Sequence, residues 1–449
     1  MKKRILSLLI IIFCMFLQSC TTSKIKIGKA PFTPFPILSI PLKGISNPGE
    51  GWLFQIPYGR DYSIGIENGP LVDELGNVHF ISENYKLYAL SPTGNILWSR
   101  DDRLSSFQSI HTLKGYIVFS DYTKSNCYDL KGKFKKSIPH PEINIGPDGM
   151  NYHLIYTKNS KKWWKAIKEK DIIEAIVGAS DAGLASTDWN GKVRWFYPLP
   201  QQENINRYDR ISLEKCFFDQ QSNVYFIFQQ YLHEGYEIKN NTCKIYSFTQ
   251  NGQYRWMKEF SFPRSNEYYY DNFLNFIPDQ IVIKDRFLLY IPNLTVEGKV
   301  ESNSIFCFSI EGKELWKTSL PKNLTIPKSY TQLKDSTFLY ALSDYERDRT
   351  YLQAIDPNGK LVWMRDMISR SSTAPITDAD DNIYIGVGGS YNTERYLYSF
   401  DKTGKTRWSK KQKNAYAEYD TPLVLGSNQK IYYGCELENI LYCVDEKTK

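Results

Sequence analysis

The 449-residue chain is short of the residue groupings on which most catalysis and metal binding rest. Its five histidines, His79, His111, His140, His153 and His233, stand far apart and form no ligand spacing. The segment His233-Glu-Gly-Tyr-Glu lacks the second histidine of a zinc-protease motif. There is no glycine-rich loop ending in Lys-Ser/Thr to cradle a phosphate, and no Gly-x-Ser-x-Gly elbow for a serine nucleophile. Charge of one sign is scarce as well: the formal net charge is +7 and 23% of residues are charged. So small a surplus over so long a chain argues against nucleic acid as a partner. Long apolar runs are missing except at residues 5–17, which are too few to span a bilayer. No catalytic residue, metal or cofactor is expected, and the chain reads as a non-enzyme.

What the amino terminus does contain is a signal. Lys2, Lys3 and Arg4 precede the apolar run, and Leu17-Gln18-Ser19-Cys20 ends it. A small residue followed by Cys at this place resembles the lipobox of bacterial lipoproteins. The resemblance implies removal of residues 1–19 and lipidation of Cys20. Loss of the three basic residues lowers the formal charge from +7 to +4. Two or three acyl chains anchor a protein stably, at about 0.8 kcal/mol per buried methylene. Residues 20–49 contain Pro31, Pro34, Pro36, Pro41 and Pro48 and read as an extended tether. Thr21 after the lipidated Cys points to the outer membrane, facing the periplasm, in an enterobacterial-type sorting system; the alternative is the outer face of the cytoplasmic membrane.

Aromatic residues, 15% of the chain, are arranged in a repeat. An apolar run, a turn ending in Gly, and a Trp four residues later recur around Gly94, Gly191, Gly252, Gly312, Gly359 and Gly404. The tryptophans are Trp98, Trp195, Trp256, Trp316, Trp363 and Trp408, and a copy around Gly132 carries Lys136 instead. Alternating apolar residues flanking Asn-Gly or Thr-Gly turns predict β-hairpins. A Trp at one fixed offset predicts packing between units, with its N–H given to a carbonyl. A second strand pair precedes each hairpin, so each unit is four strands, A to D. Trp52 lies on a D strand with no hairpin before it, and residues 430–444 are B and C strands with no D strand after them. The amino-terminal strand is therefore expected to complete the last unit and close a ring. Seven full units and one composite unit make an eight-bladed all-β propeller over residues 50–449, expected to be monomeric. A different parsing of residues 138–180 makes seven.

The segments Asp380-Asp-Asn-Ile-Tyr-Ile-Gly386, Tyr396-Leu-Tyr-Ser-Phe-Asp401 and Thr403-Gly-Lys-Thr-Arg-Trp408 resemble the repeats of PQQ-like β-propellers. That family resemblance implies the fold, and it raises a quinone-dependent dehydrogenase as one function. The adjacent cysteine pair found in many such enzymes does not occur here, and their calcium-ligand and base motifs are not recognisable. Residues 378–382, Asp-Ala-Asp-Asp-Asn, lack the Gly and distant Glu of a calcium loop and fall where each blade has an A–B turn. The lipobox, tether and eight blades together resemble the propeller lipoproteins of the outer-membrane β-barrel assembly machinery.

The C–D turns are uniformly short. The longer connections are B–C, expected as loops at residues 229–242, 292–303, 343–350 and 388–394, or D–A. Both kinds lie on one rim, where irregular segments favour binding. This rim carries Tyr231, Tyr236, Arg264, Tyr268, Tyr269, Tyr270, Arg347, Arg349, Tyr391 and Arg395. Tyr and Arg are favoured at protein interfaces. The leading expectation is a lipid-anchored scaffold with an envelope protein partner. The alternative is a receptor for a small ligand, sugar or peptide in the central channel. A basic insertion at 158–170 is expected on the opposite rim. Cys127, Cys307 and Cys443 are expected as buried C-strand residues, with Cys435 opposite Ile440 rather than Cys443. Replacing Cys20 by Ala should abolish metabolic lipid labelling and release the protein from the membrane fraction; labelling that persists would remove the anchor.

Overall fold

Each repeat forms a four-stranded sheet because its aromatic and β-branched residues alternate and its Gly-containing turns are tight enough to reverse the chain. The computed structural model describes residues 51–445, leaving aside 57–65, 83–85, 102–106, 114, 122–124, 139–143, 157–181, 189–191, 200–209, 235–236, 264–281, 295–299, 322, 326–328, 370, 389–393, 412–420, 427–428 and 436–439. The signal and tether, Cys20, Gly191 and the insertion at 158–170 lie outside the described residues.

Eight antiparallel blades stand in a ring. Blade 1 is Ile66–Val72, Val78–Ser82, Lys86–Leu90 and Ile96–Asp101. Blade 2 is Phe107–Leu113, Tyr116–Asp121, Ser125–Asp129 and Phe134–Ile138. Blade 3 is Asn144–Ile145, Asn151–Tyr156, Ala182–Thr187 and Val193–Pro198. Blade 4 is Arg210–Asp219, Val224–Glu234, Glu237–Phe248 and Tyr254–Pro263. In blade 5, strands B to D are Arg286–Leu294, Val300–Ser309 and Glu314–Leu320, and the short inner strand Val282–Ile283 pairs parallel with strand A of blade 4. Blade 6 has two short inner segments, Leu324–Thr325 and Thr331–Gln332, on Phe338–Asp344, followed by Arg349–Ile355 and Leu361–Ile368. Blade 7 is Ile376–Thr377, Ile383–Val387, Tyr396–Phe400 and Thr406–Lys411.

Blade 8 joins the two ends of the chain. Val424–Leu425, Ile431–Cys435 and Ile440–Val444 supply strands A to C, and Trp52–Gln55 adds as strand D, with Trp52 opposite Cys443. The missing turn is replaced by the Asp445 carboxylate, which accepts the Gly51 N–H at 3.0 Å. Cys435 stands opposite Ile440, and Cys443 opposite Tyr432, as the spacing predicts. Cys127, Cys216, Cys243, Cys307 and Cys443 are buried free thiols.

The core is a set of interblade layers. Trp98 packs on Ile117 and Tyr128 of the next blade, Trp256 on Phe287 and Phe308, and Trp52 on Val78 and Leu90. Six of the indoles also donate their N–H to a carbonyl in the next blade's C–D turn: Trp52 to Pro92 at 3.0 Å, Trp98 to Leu130 at 2.9 Å, Trp195 to Gln250 at 3.0 Å, Trp256 to Ile310 at 2.9 Å, Trp316 to Pro357 at 2.9 Å and Trp363 to Lys402 at 3.0 Å. The turn glycine meets two demands at once. Gly252 has φ +82°, and a Cβ there would lie 2.4 Å from the Trp195 ring. Opposite each Trp, strand C carries only Ala, Ser or Cys, as in Ala89, Ser247 and Cys307.

One expectation is corrected. Residues 229–234, 237–242, 292–294 and 300–303 are strand rather than loop, whereas 343–350 holds the expected turn, at 345–348, between two strand ends. In blade 4 the ladder runs to the pair Glu234–Glu237. Apolar alternation stops near Gln229, but backbone hydrogen bonds need no apolar side chains, so pairing continues beyond the core.

Gly252→Ala should cost more than Gly115→Ala, although both have positive φ. Gly115 has nothing within 4 Å of its would-be Cβ, so only the backbone strain of about 1–2 kcal/mol applies. At Gly252 displacement of Trp195 adds about 1–3 kcal/mol. Denaturant midpoints of the two variants measure the difference; equal shifts would show that the indole contact is slack.

Candidate interaction face

The rim formed by the B–C and D–A connections is uneven. Strand B has 5 residues in blade 1 and 11 in blade 4. At about 3.4 Å per residue, blade 4 rises roughly 20 Å further. Tyr231 lies on this projection, in register with Arg210 and Asn241. Tyr236, Arg264, Tyr268, Tyr269, Tyr270 and Tyr391 lie outside the described residues.

Blade 6 displays the described part of the rim on a fixed turn. Asp344 is fully buried, and its Oδ1 accepts the N–H groups of Glu346 and Arg347, both at 3.1 Å. Its Oδ2 accepts the Asn323 side-chain amide at 3.1 Å. Asp348 adopts φ 53°, its carbonyl accepts the Ser369 N–H at 3.0 Å, and the Thr350 hydroxyl donates to the Ser369 carbonyl at 2.7 Å. On this base Tyr345 is 54% exposed and the Arg347 side chain 72% exposed. Arg347 is raised above the usual arginine range by a hydrogen bond with Tyr351 and by the charge of Asp344. Arg349 makes a surface pair with Asp366 at 3.8 Å. Such exposed pairs contribute about 0–1 kcal/mol, so the Arg349 guanidinium exchanges partners at little cost.

Arg395 does not belong to this surface. It is fully buried, with its guanidinium 5.6 Å from the centre of the Tyr442 ring, which stacks on Tyr433. It follows the exposed Glu394, which pairs with Lys411. Sequence position on the rim does not distinguish an outward side chain from one turned into the joint between blades 7 and 8.

The opposite rim uses its polar groups internally. In blade 4, Asp219 Oδ1 accepts the N–H groups of Gln221 and Asn223, and Oδ2 accepts the Asn223 amide and the Tyr225 hydroxyl at 2.8 Å. Arg255 donates to the Tyr225 hydroxyl and to Ser247. Blade 7 repeats this with Asp378, Asn382, Tyr384, Ser399 and Arg407, and blade 3 with Asp148, Tyr152, Ser186 and Arg194. Residues 378–382 are thus a capped turn whose carboxylate is occupied. Burial, with the neighbouring Asp second, raises the Tyr152, Tyr225 and Tyr384 hydroxyls well above the usual tyrosine range. The serines face an arginine, which cannot act as a base, so these clusters do not activate a nucleophile. The networks escaped the sequence reading, although Asp-x-x-x-Asn-x-Tyr in blades 4 and 7, and Arg immediately before Trp, mark them.

Blade 1 is a variant in which His79 Nε2 meets Asp73 Oδ2 at 2.9 Å and no arginine is present. The imidazole is fully buried, and its Nδ1 has no hydrogen-bond partner, so nothing extends the pair into a catalytic relay.

With this geometry in hand, the class is defined: an all-β, eight-bladed β-propeller. No protein-family model matches the chain, and no curated protein matches it. Among solved structures it is similar to yeast (Saccharomyces cerevisiae) Sqt1, at TM-score 0.50 and 11% identity over 90% of this chain and 100% of that one. It is also similar to the Dos1 propeller, at TM-score 0.49 and 11% identity over 91% and 98%. A third is BamB from Moraxella catarrhalis, at TM-score 0.43 and 13% identity over 89% and 99%. At these identities the likeness is one of fold.

Burial alone would raise the Asp73 carboxyl, but hydrogen bonds from His79 and Asn77 hold it below its ordinary value. A carboxyl depressed in the folded state stabilises above its unfolded pKa, about 3.9, and that stability is lost as pH falls through the folded pKa. Asp73→Asn should therefore lower the melting temperature at neutral pH, with the gap to wild type narrowing below about pH 4. A gap unchanged with pH would show that Asp73 acts by shape alone.

Proposed function

We propose that this protein is a non-enzymatic propeller scaffold, anchored through a lipid on Cys20 at a bacterial envelope membrane. Its B–C and D–A rim receives a protein partner. The contrast between the two rims carries this reading. One rim commits its carboxylates, serines, arginines and indoles to holding blades together. The other rises at blade 4 and, at blade 6, spends a buried Asp344 on presenting Tyr345 and Arg347 outward. Exposed Tyr and Arg on a rigid base bind with little loss of side-chain freedom, which is how interface anchors work. The finer reading is a role in outer-membrane protein assembly, in the manner of the BamB lipoproteins. It is supported by the combination of lipobox, tether and eight blades, and residues 20–49 would hold the domain off the outer membrane on its periplasmic side.

Crosslinking and affinity capture from native membranes test this. The double variant Arg347→Ala/Arg349→Ala should fold normally and recover the envelope partner at least about ten-fold less well, consistent with about 1.4 kcal/mol or more of lost binding. Unchanged recovery would show that blade 6 is not the contact surface.

A further inference from the structure

Seven of the eight joints follow one rule. A Trp on strand D of one blade covers an apolar pair on strands B and C of the next, such as Phe338 and Ile355 under Trp316 or Ile431 and Val444 under Trp408. Between blades 2 and 3 all three positions change together. The Trp becomes Lys136, opposite Cys127, and the receiving pair becomes Asn151 and Thr187, which face each other across strands B and C of blade 3.

These substitutions leave little to hold the joint. Among the described residues, its apolar layer is Val118 and Cys127, with half-buried Tyr116 and Ile145 around them. Asn151 and Thr187 are both fully buried, yet neither the Asn151 side-chain oxygen and nitrogen nor the Thr187 hydroxyl has a hydrogen-bond partner. A buried polar atom left unpaired works against the closed arrangement by about 1–3 kcal/mol, a cost that water relieves once the joint parts. Burial pushes the Lys136 ammonium down from the ordinary lysine range, opposed by Cys127 and Asp188. Its four-carbon stem covers far less than an indole.

The joint between blades 8 and 1 is the natural rival, because the strand D that forms it, Trp52–Gln55, is held in blade 8 by its ladder with strand C and by no covalent turn. It is nevertheless well built. Trp52 and Lys430 both donate to the Pro92 carbonyl, at 3.0 and 3.1 Å, and Phe54 lies against Phe80 and Tyr88 with ring centres 6.1 and 5.8 Å apart.

We infer that the joint between blades 2 and 3 is the opening seam of the ring, and that the blades part there before they part where the termini meet. The three substitutions act as a set, because apolar residues under Lys136, or a Trp over Asn151 and Thr187, would each leave a mismatched layer.

The chain carries its own reporters. Cys127, Cys307 and Cys443 occupy the same place in three joints, opposite Lys136, Trp316 and Trp52, and all three are buried. Native-state alkylation of the full chain, mapped by mass spectrometry, should modify Cys127 at least about ten-fold faster than Cys307 and Cys443, after normalising each to its rate in denaturant. The variant Lys136→Trp/Asn151→Val/Thr187→Phe should slow Cys127 alone. If Cys443 reacts first, or the three react at one rate in wild type, the seam lies elsewhere or the ring opens only by unfolding. If the variant folds and Cys127 still reacts at the wild-type rate, the polar layer is not the cause.

Discussion

The indole laid over a glycine turn is the contact from which the rest of the ring follows. Among the described residues, blades share no backbone ladder except the short parallel pairing between blades 4 and 5, so their association depends on side chains. The Trp supplies apolar area and one directional hydrogen bond, which together fix how far and at what height the next blade stands. A Cβ on the turn would push the ring away, as at Gly94, where it would sit 2.7 Å from Trp52. A large residue opposite the Trp on strand C would displace the indole from the other side. Hence the same three-part pattern, Gly, Trp and a small residue, recurs at six joints, under Trp52, Trp98, Trp195, Trp256, Trp316 and Trp363.

Buried charge obeys a second rule. The A–B turns of blades 3, 4 and 7 each bury an Asp that caps its own turn, and each blade places an Arg beside the Trp to compensate. Blade 1 buries Asp73 and meets it with His79 instead. An isolated carboxylate in such a layer would be costly, so in blades 3, 4 and 7 the arginine appears where the Asp does. These networks set the angle between turn and sheet. They involve tyrosine hydroxyls and serines in numbers that resemble catalytic apparatus, but each group is already a donor or acceptor to its neighbour.

The two rims consequently divide labour. One is regular because interblade packing fixes its turn glycines, capping carboxylates and indoles. The other is released from that constraint, and there strands overrun the core, as in blade 4, or close in an Asp-capped turn, as in blade 6. A rim of this kind suits recognition of a protein surface, because it combines fixed backbone with side chains that packing does not claim. Arg395 shows how local that freedom is: within a few residues of the rim it turns inward and lies against Tyr442.

The repeat was legible in the chain because its determinants are local. A Gly in a turn and a Trp four residues later can be counted without knowing what they touch, and the unmatched strands at the two ends imply closure by Trp52–Gln55. The candidate site was legible only as a region. Residue type placed Arg347, Arg349 and Arg395 together, while burial, set by neighbours distant in sequence, left two outside and drew the third in. The loops at 229–242 and 292–303 were misread because ladder hydrogen bonds extend beyond the apolar pattern that betrays a strand. Lys136 stood out in sequence as a single exception. Only the tertiary structure assigned it to the same joint as Asn151 and Thr187, because those residues belong to the next blade and pair with each other across strands far apart in sequence.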